Sequence, residues 1–373
     1  MGKRITMFLF VIPLLVLSSS VDVKAEARKT LSEVDRKLKL LNKPAIKSIK
    51  SEDGDIIDCV DIYKQPAFDH PALRNHKIQM RPSIIFPSDA TSTKNESSPS
   101  VLFQTWQKSG SCPKGTIPIR RIRREELLRV ASLKHFGRDG PRNSSVVNTT
   151  NDKSSRFVDY NGTKYAVFPL PDHSAAYLIT TGYSYIGARA DINVWSPRVE
   201  SPDEHTTAQI WLKSGPGDNF ESIEAGWMVN PAVFRDTQPR VFIRWTDPNA
   251  GRWWLQFQDE VIGYWPGEIL SNLKQKAILV QWGGDVYSKK MKPGHPHTAT
   301  GMGSGDYASG LWGGACYIKN VRILDYSLQL KYPEWVTTAA EEPYCYNSLN
   351  YQRSLAMEPI FYFGGPGRNP NCP

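Results

Sequence analysis

The 373-residue sequence lacks the hallmarks of several enzyme and transport classes. It has only five cysteines, and no two of them have metal-ligand spacing, which argues against a zinc site. No glycine-rich phosphate loop follows a strand and opens a helix. After the first 25 residues, no apolar run is long enough to cross a bilayer. We therefore predict no metal, no cofactor and no membrane partner for the mature chain.

An excess of one charge sign is absent from most of the chain. Residues 141–373 contain 21 basic and 22 acidic residues, whereas residues 26–140 contain 22 basic and 14 acidic residues. The net charge of +9 therefore arises almost wholly in the N-terminal part. This distribution gives little support to a nucleic-acid partner for the rest of the chain.

A sustained helical period is also lacking after residue 164. Short aromatic and β-branched runs alternate there with turn residues, and ten of the 11 tryptophans follow residue 190. We predict a mainly β structure, an antiparallel β-sandwich or jelly roll, over residues 151–373. A small α+β region is predicted ahead of it, with a helix over 28–43, a hairpin around Asp53-Gly54, a strand within 112–124 and a helix over 125–136. Residues 137–163 are polar and are predicted to form a linker.

The N-terminus has the pattern of a targeting signal. Lys3 and Arg4 precede the apolar run 5–17, and small-residue cleavage sites follow around Ala25. Residues 1–25 are therefore predicted to be a secretory signal peptide, which makes the protein secreted, extracellular or in the cell wall. In that setting the four Asn-x-Ser/Thr sequons are predicted glycosylation sites, at Asn95, Asn143, Asn148 and Asn161.

A basic first region, a glycosylated linker and a β-rich domain together suggest a zymogen; two permanently joined domains are the alternative. Serine–histidine catalysis fits poorly, because the sequence has no G-x-S-x-G motif. Carboxylates within apolar strands are more informative. Glu224 interrupts SIEAGWMV, Asp285 follows two glycines, and Gln209 lies within AQIWL. Each is a candidate catalytic residue, with a position at a solvated sheet rim or sheet face as the alternative.

Several long segments resemble the plant neprosin family, which are secreted glutamic peptidases made with an N-terminal activation peptide. The resemblance is carried by SEDGDIIDCVDIYKQPAFDHPALRNHKIQMRPS, SIEAGWMV, WGGDV, PHTATGMGSG and YFGGPGRNPNCP. It implies an activation peptide and linker over residues 26–150 and a β-sandwich peptidase domain over 151–373. It also implies cleavage of a proline-containing peptide or protein after proline in acid. The activation peptide is then an intramolecular inhibitor, and its basic surface is expected to screen an acidic groove.

The resemblance assigns roles to single residues. Glu224 matches the first catalytic glutamate of the family, and Asp285 stands where the second is expected. Gln209 is an oxyanion candidate. Trp227 and Trp282 flank the carboxylates in sequence and are candidates to line a proline-accepting groove, with a core position as the alternative for each. Aspartate is one methylene shorter than glutamate, and a misplacement of ~1 Å can cost roughly 100-fold in rate, so weak activity or none is expected.

The chemistry of such a pair follows from electrostatics. Two facing carboxylates repel, so one keeps a proton while the other ionises. The ionised group takes a proton from the attacking water, and the protonated group donates to the leaving amine. The two groups titrate as a coupled pair, which predicts an acid optimum.

The resemblance also exposes a gap. Two family motifs abut at Thr246 and Asp247, where the family has several further strands. Their absence would leave an exposed sheet edge, and indicates either a truncated gene model or splice form, or a protein that folds poorly. By resemblance, two disulfides are implied and Cys316 is the odd thiol; the pairs are Cys59–Cys112 and Cys345–Cys372.

Two other functions stay open. The runner-up is a catalytically impaired paralogue that binds peptides or cell-wall glycans, which Asp285 and the missing strands favour. The other open function is that of a purely structural cell-wall protein.

Overall fold

The computed structural model describes residues 32–82, 104–129, 156–158, 164–166, 170–215, 220–245, 253–257, 260–291 and 296–373. The chain divides into two compact units, one of residues 1–77 with 89–136 and one of residues 78–88 with 137–373. The predicted signal peptide and the four sequons lie outside the described residues, as does most of the predicted linker. No helix in the described ranges is long and apolar enough to cross a membrane.

The N-terminal unit is a small α+β structure. Its elements are α1 (32–41), β1 (Ala45–Lys50), β2 (Ile56–Asp61), β3 (Thr116–Arg120) and α2 (Arg124–Arg129). The predicted hairpin is confirmed, because β1 and β2 pair antiparallel and Gly54 turns between them at a φ of 84°. The strand β3 then pairs with β2, and the disulfide Cys59–Cys112 closes onto a core of Ile49 and Ile57.

The second unit is built from antiparallel strands. They are β4 (Arg156–Val158), β5 (Lys164–Ala166), β6 (His173–Ile192), β7 (His205–Ser214), β8 (Glu221–Val229), β9 (Arg240–Trp245), β10 (Trp253–Phe257), β11 (Glu260–Trp265), β12 (Ala277–Tyr287), β13 (Cys316–Asp325), β14 (Leu330–Lys331), β15 (Thr337–Ala340), β16 (Asn347–Tyr351) and β17 (Ile360–Gly364). Two one-turn helices accompany them, α3 (Pro231–Phe234) and α4 (Leu311–Gly314).

Ten of these strands form one sheet in the order β16-β17-β13-β6-β12-β7-β8-β9, with β14 on β13 and β15 on β6. The sheet folds over itself, because a Cβ on Gly284 in β12 would lie 2.6 Å from the ring of Phe363 in β17. Strands from distant places in the sheet order therefore stack in two layers around residues such as Trp282 and Met302. The prediction of a mainly β, antiparallel domain after a small α+β region is confirmed.

The strand β9 is the last in this order and pairs with β8 alone in the part of the sheet that is described. Val241 on β9 is 62% exposed. The predicted gap at residues 246/247 follows directly in sequence, at residues that lie outside the described ranges. Loss of strands at this position stays a prediction.

A buried polar network fastens the loop before β13 to the rest of the sheet. Burial alone would raise the pKa of Glu200, but hydrogen bonds from Lys290, the Ala299 backbone and Arg368 outweigh it and lower that pKa to about 2. Nearby, the buried Glu204 accepts hydrogen bonds from three hydroxyl groups, those of Ser288, Thr298 and Thr300. Because Glu200 stays ionised to low pH, its ion pairs persist in acid.

His297 and Glu342 form a pair with a defined pH range. Burial alone would lower the pKa of His297, but hydrogen bonds with Glu342 at 3.1 Å and with the Thr298 carbonyl raise it. The pKa of Glu342 is lowered, since the bond to His297 outweighs burial. The histidine contribution to stability is present below its ordinary pKa of 6.5, and the glutamate contribution above its ordinary pKa of 4.5.

We therefore expect His297→Gln to destabilise the protein most between about pH 4.5 and 6.5, where both groups are charged, by about 1 kcal/mol. Above the folded-state pKa of His297 the wild-type ring is neutral, and the difference should shrink. Thermal unfolding of the two proteins at about pH 5.5 and pH 9 measures this. A loss of equal size at both pH values would show that the ring contributes by packing alone.

Candidate functional site

Three neighbouring strands carry the predicted catalytic residues. Gln209 on the central strand β7 has Gly283 of β12 as its backbone partner on one side and Gly226 of β8 on the other. Glu224 lies two residues from Gly226, and Asp285 lies two residues from Gly283. Directly paired residues share a face and side chains alternate between faces, so all three polar side chains lie on one face of the sheet. We call this face of β6, β12, β7 and β8 the site face.

The two carboxylates lie on opposite diagonals of Gln209. Asp285 is level with Thr207, and Glu224 is level with Trp211. Each diagonal step spans roughly 7–8 Å between Cα atoms, so the Cα atoms of Glu224 and Asp285 are about 15 Å apart in a flat sheet. Gln209 lies between Glu224 and Asp285 in this register.

Glu224 is held by side chains of its own face. The Gln209 Nε2 atom donates to Glu224 Oε2 at 3.4 Å, and the Ser222 hydroxyl donates to Oε1 at 2.7 Å. Glu224 is 6% exposed and Gln209 is 2% exposed. Within the described ranges, the side-chain amide oxygen of Gln209 (Oε1) is buried without a hydrogen-bond partner. A buried amide with one unused oxygen is costly in a fold and is typical of a functional position.

Asp285 pairs with a histidine from the neighbouring strand. The His173 Nδ1 atom lies 2.7 Å from Asp285 Oδ2. The ring of His173 also packs against Tyr287, which stacks with His205. Sequence reasoning missed His173, since nothing near residue 173 indicates that β6 lies beside β12.

A buried lysine lies on the same face. Lys213 is two residues beyond Trp211 on β7, and its Nζ atom lies 5.5 Å from the Trp211 ring centroid and 5.6 Å from that of Phe220. Burial lowers the pKa of Lys213, and the charges of Glu224, Glu341 and Asp285 oppose the shift. The alternation from Gln209 through Trp211 to Lys213 is a signal that could have found this residue from sequence.

Glu341 is a further carboxyl group that the sequence did not reveal. Its Oε2 atom accepts a hydrogen bond from the Ala175 backbone at 3.0 Å. Burial, aided by repulsion from Asp285, raises the pKa of Glu341 to about 7 against the opposing effects of the Ala175 N–H, Lys213 and His173. This group therefore keeps its proton under conditions in which ordinary carboxyl groups are ionised.

The two predicted groove tryptophans lie elsewhere. Trp227 pairs with Ala208, and Trp282 pairs with Ile210, so both side chains point to the face opposite Glu224. They are 3% and 0% exposed, and the Trp227 indole donates to the Asn193 carbonyl at 2.8 Å. The register does not support a role for either in binding substrate beside the carboxylates. Aromatic side chains of the site face include Trp211, Tyr177 and Tyr287.

The cysteines are structural. The structure contains the disulfides Cys59–Cys112 and Cys345–Cys372, as the resemblance implied. Cys316 is a buried free thiol whose pKa burial raises, which makes it a poor nucleophile. The ligand atoms of His297, Cys345 and Cys372 lie within 4.8 Å of one another, but both sulfurs are bonded in the disulfide. This group therefore does not have the thiolates that a metal site needs.

Fold and site together define a two-unit antiparallel β protein in which buried carboxyl groups surround a glutamine on one sheet face. Two known family models match the chain. Residues 48–169 match the family model of the neprosin activation peptide, and residues 202–250 and 245–366 match that of neprosin. The chain belongs to the neprosin family. An activation peptide ahead of a neprosin domain supports a zymogen of a neprosin-type peptidase. The two neprosin matches meet at residues 245–250.

Proposed function

We propose that the chain is the secreted zymogen of a glutamic endopeptidase that hydrolyses peptide bonds after proline at acid pH. The observation that carries this proposal is the position of Gln209 between Glu224 and Asp285 on one face of the sheet. A peptide carbonyl placed over the Gln209 amide would have one carboxyl group on each side. No cofactor takes part in this chemistry.

Hydrolysis needs a base, an acid and an oxyanion donor. The ionised carboxyl group takes one proton from water as the water oxygen bonds to the carbonyl carbon. The Gln209 Nε2–H donates to the oxygen on which negative charge develops. The protonated carboxyl group then gives its proton to the leaving nitrogen as the C–N bond breaks. One carboxyl group has gained a proton and the other has lost one, so a proton exchange with solvent resets the site.

An acid optimum follows from the same balance. One carboxyl group must hold a proton while the other is ionised, and rising pH removes that proton. The ion pairs of Glu200, whose pKa is about 2, would support the fold under these conditions. For proline recognition, we propose the rings of Trp211 and Tyr177 on the site face, because proline packs well on aromatic surfaces.

The activation peptide is proposed to act as an intramolecular inhibitor. Residues 26–140 carry 22 basic and 14 acidic residues, and residues 141–373 carry 21 basic and 22 acidic residues. Attraction between a basic peptide and the carboxyl groups of the peptidase weakens as those groups take up protons. Acid would then both release the inhibitor and set the protonation that catalysis needs.

A specific observation favours the alternative function, a catalytically impaired paralogue that binds peptides or cell-wall glycans. Asp285 is shorter than glutamate and its carboxylate is already engaged by His173. An aspartate held in this way reaches less far toward Gln209, and a shortfall of ~1 Å costs roughly 100-fold in rate.

The substitution Asp285→Glu separates the two functions. If the site is a peptidase weakened by the shorter side chain, this variant should cleave a proline-containing peptide roughly 10- to 100-fold faster than the wild type. Asp325→Glu makes the same chemical change on β13, in an ion pair with Lys331, and should leave the rate unchanged. If the wild type and Asp285→Glu are both folded, processed and inactive, the result favours the binding paralogue.

A further inference from the structure

A second carboxyl group lies near Asp285. The Glu341 backbone N–H donates to the Ala175 carbonyl at 2.9 Å, which continues the pairing of β15 with β6 by one residue. On its other side, Ala175 has Asp285 of β12 as its direct partner. Glu341 and Asp285 therefore flank the same alanine, one on each side.

This arrangement makes Glu341 a closer partner of Asp285 than Glu224 is. Two strand spacings separate the Cα atoms of Glu341 and Asp285, roughly 10 Å, compared with about 15 Å along the diagonal to Glu224. The residue between them is Ala175, whose side chain is a single methyl group. The Glu341 carboxyl group also folds back onto the Ala175 N–H, which fixes it beside β6.

The charges around this pair are asymmetric. His173 lies 2.7 Å from the Asp285 carboxylate, and its cationic form stabilises a negative charge there. Glu341 is half-buried, and burial raises its pKa to about 7. Titratable groups coupled to one or both carboxyl groups include His173, Tyr177, Lys213 and Tyr346.

Resting on the proposed function, we propose that Glu341 is a positioning residue that acts beside Asp285: as a neutral acid it adds no second negative charge there while Asp285 accepts the proton of water. When Glu341 ionises, a second negative charge appears next to Asp285 and repels the negative charge that develops on the carbonyl oxygen, which disfavours the transition state. Glu224, on the far side of Gln209, is left as the acid that protonates the leaving nitrogen.

The substitution Glu341→Gln tests this role. Glutamine keeps an oxygen for the Ala175 N–H and stays neutral at every pH. In acid, the variant should cleave a proline-containing peptide within a factor of about 3 of the wild type. At about pH 8, one unit above the Glu341 pKa, it should be about tenfold faster than the wild type. Glu342→Gln, the same change one residue later in the pair with His297, should leave the pH profile unmoved.

An infrared titration of the full chain tests Glu341 without any activity. The carbonyl band of a protonated carboxyl group should disappear near pH 7 in the wild type and in Glu342→Gln, and should be absent in Glu341→Gln. In Asp285→Asn the band should disappear at a lower pH, because a repelling charge is gone. An unchanged titration in Asp285→Asn, or an unchanged alkaline limb in Glu341→Gln, would overturn the inference. A normal titration in a protein that cleaves nothing would overturn only the proposed function.

Discussion

Replacing Glu224 by glutamine is expected to abolish cleavage after proline, with kcat lowered at least about 1,000-fold and the fold retained. Glutamine has nearly the same shape, so the Ser222 hydroxyl still has an oxygen to donate to. What is lost is the ability to exchange a proton with water or with the leaving nitrogen. Steady-state kinetics with a proline-containing peptide, together with thermal unfolding of both proteins, measure the effect.

Glu221→Gln is the matched control on the same strand. Glu221 is buried on the opposite face and accepts hydrogen bonds from the backbones of Ser271 and Leu273. This variant should be less stable, while the folded fraction keeps its kcat. The account would be contradicted if Glu224→Gln kept its kcat within a factor of a few, or if both variants lost activity equally.

Replacing Gly226 by alanine is expected to disrupt the site through the backbone. A Cβ at this position would overlap the Ala208 carbonyl oxygen and lie 2.6 Å from the Gln209 Cα atom. Neither atom can rotate away, so β7 and β8 must separate. We expect a loss of about 3 kcal/mol in the free energy of unfolding. Any folded fraction should lose roughly 100-fold in rate, since the Gln209 amide is displaced.

Gly263→Ala on β11 provides the comparison. Its Cβ would meet no atom within 4 Å, so the change should leave secretion yield and melting temperature nearly unchanged. Thermal unfolding of both variants measures the difference. Equal melting temperatures would show that β7 and β8 tolerate a side chain at residue 226, and the close approach of these strands would then not constrain the site.

Alternation within single strands accounts for part of the site. It places Glu224 and Gly226 on one face of β8 and Trp227 on the other, as the structure has them. The same rule argues against the tryptophans as groove residues, because Trp282 lies an odd number of residues from Asp285. The tryptophan prediction relied on nearness in sequence where parity was the better guide.

Register between strands was not predictable from sequence alone. The separation of Glu224 from Asp285 depends on how β12, β7 and β8 align, and no single strand contains that information. His173 lies on a strand that precedes the catalytic motifs, and Glu341 directly follows a strand that comes long after them. The contact of His173 with Asp285 and the position of Glu341 near Asp285 exist only because β6 runs between β12 and β15.

The fold class was accessible because β-branched runs and turn residues recur throughout the second unit. The length of β6 was not accessible from the sequence. Gly182, at a φ of 94°, and Gly187 suggest interruptions, yet the strand continues through register shifts as its partners change. A bulged strand shared by several partners has no simple period in sequence.

The most direct test of the central claim uses the full chain expressed with its signal peptide. The secreted product is shifted to acid in the presence of a proline-containing peptide, and intact mass is recorded for both. We predict loss of the activation peptide and cleavage of the substrate on the carboxyl side of proline, with no cleavage by Glu224→Gln. A folded and processed protein that leaves the peptide intact, or cleavage that persists in Glu224→Gln, would contradict the claim that Glu224, Gln209 and Asp285 form a peptidase site.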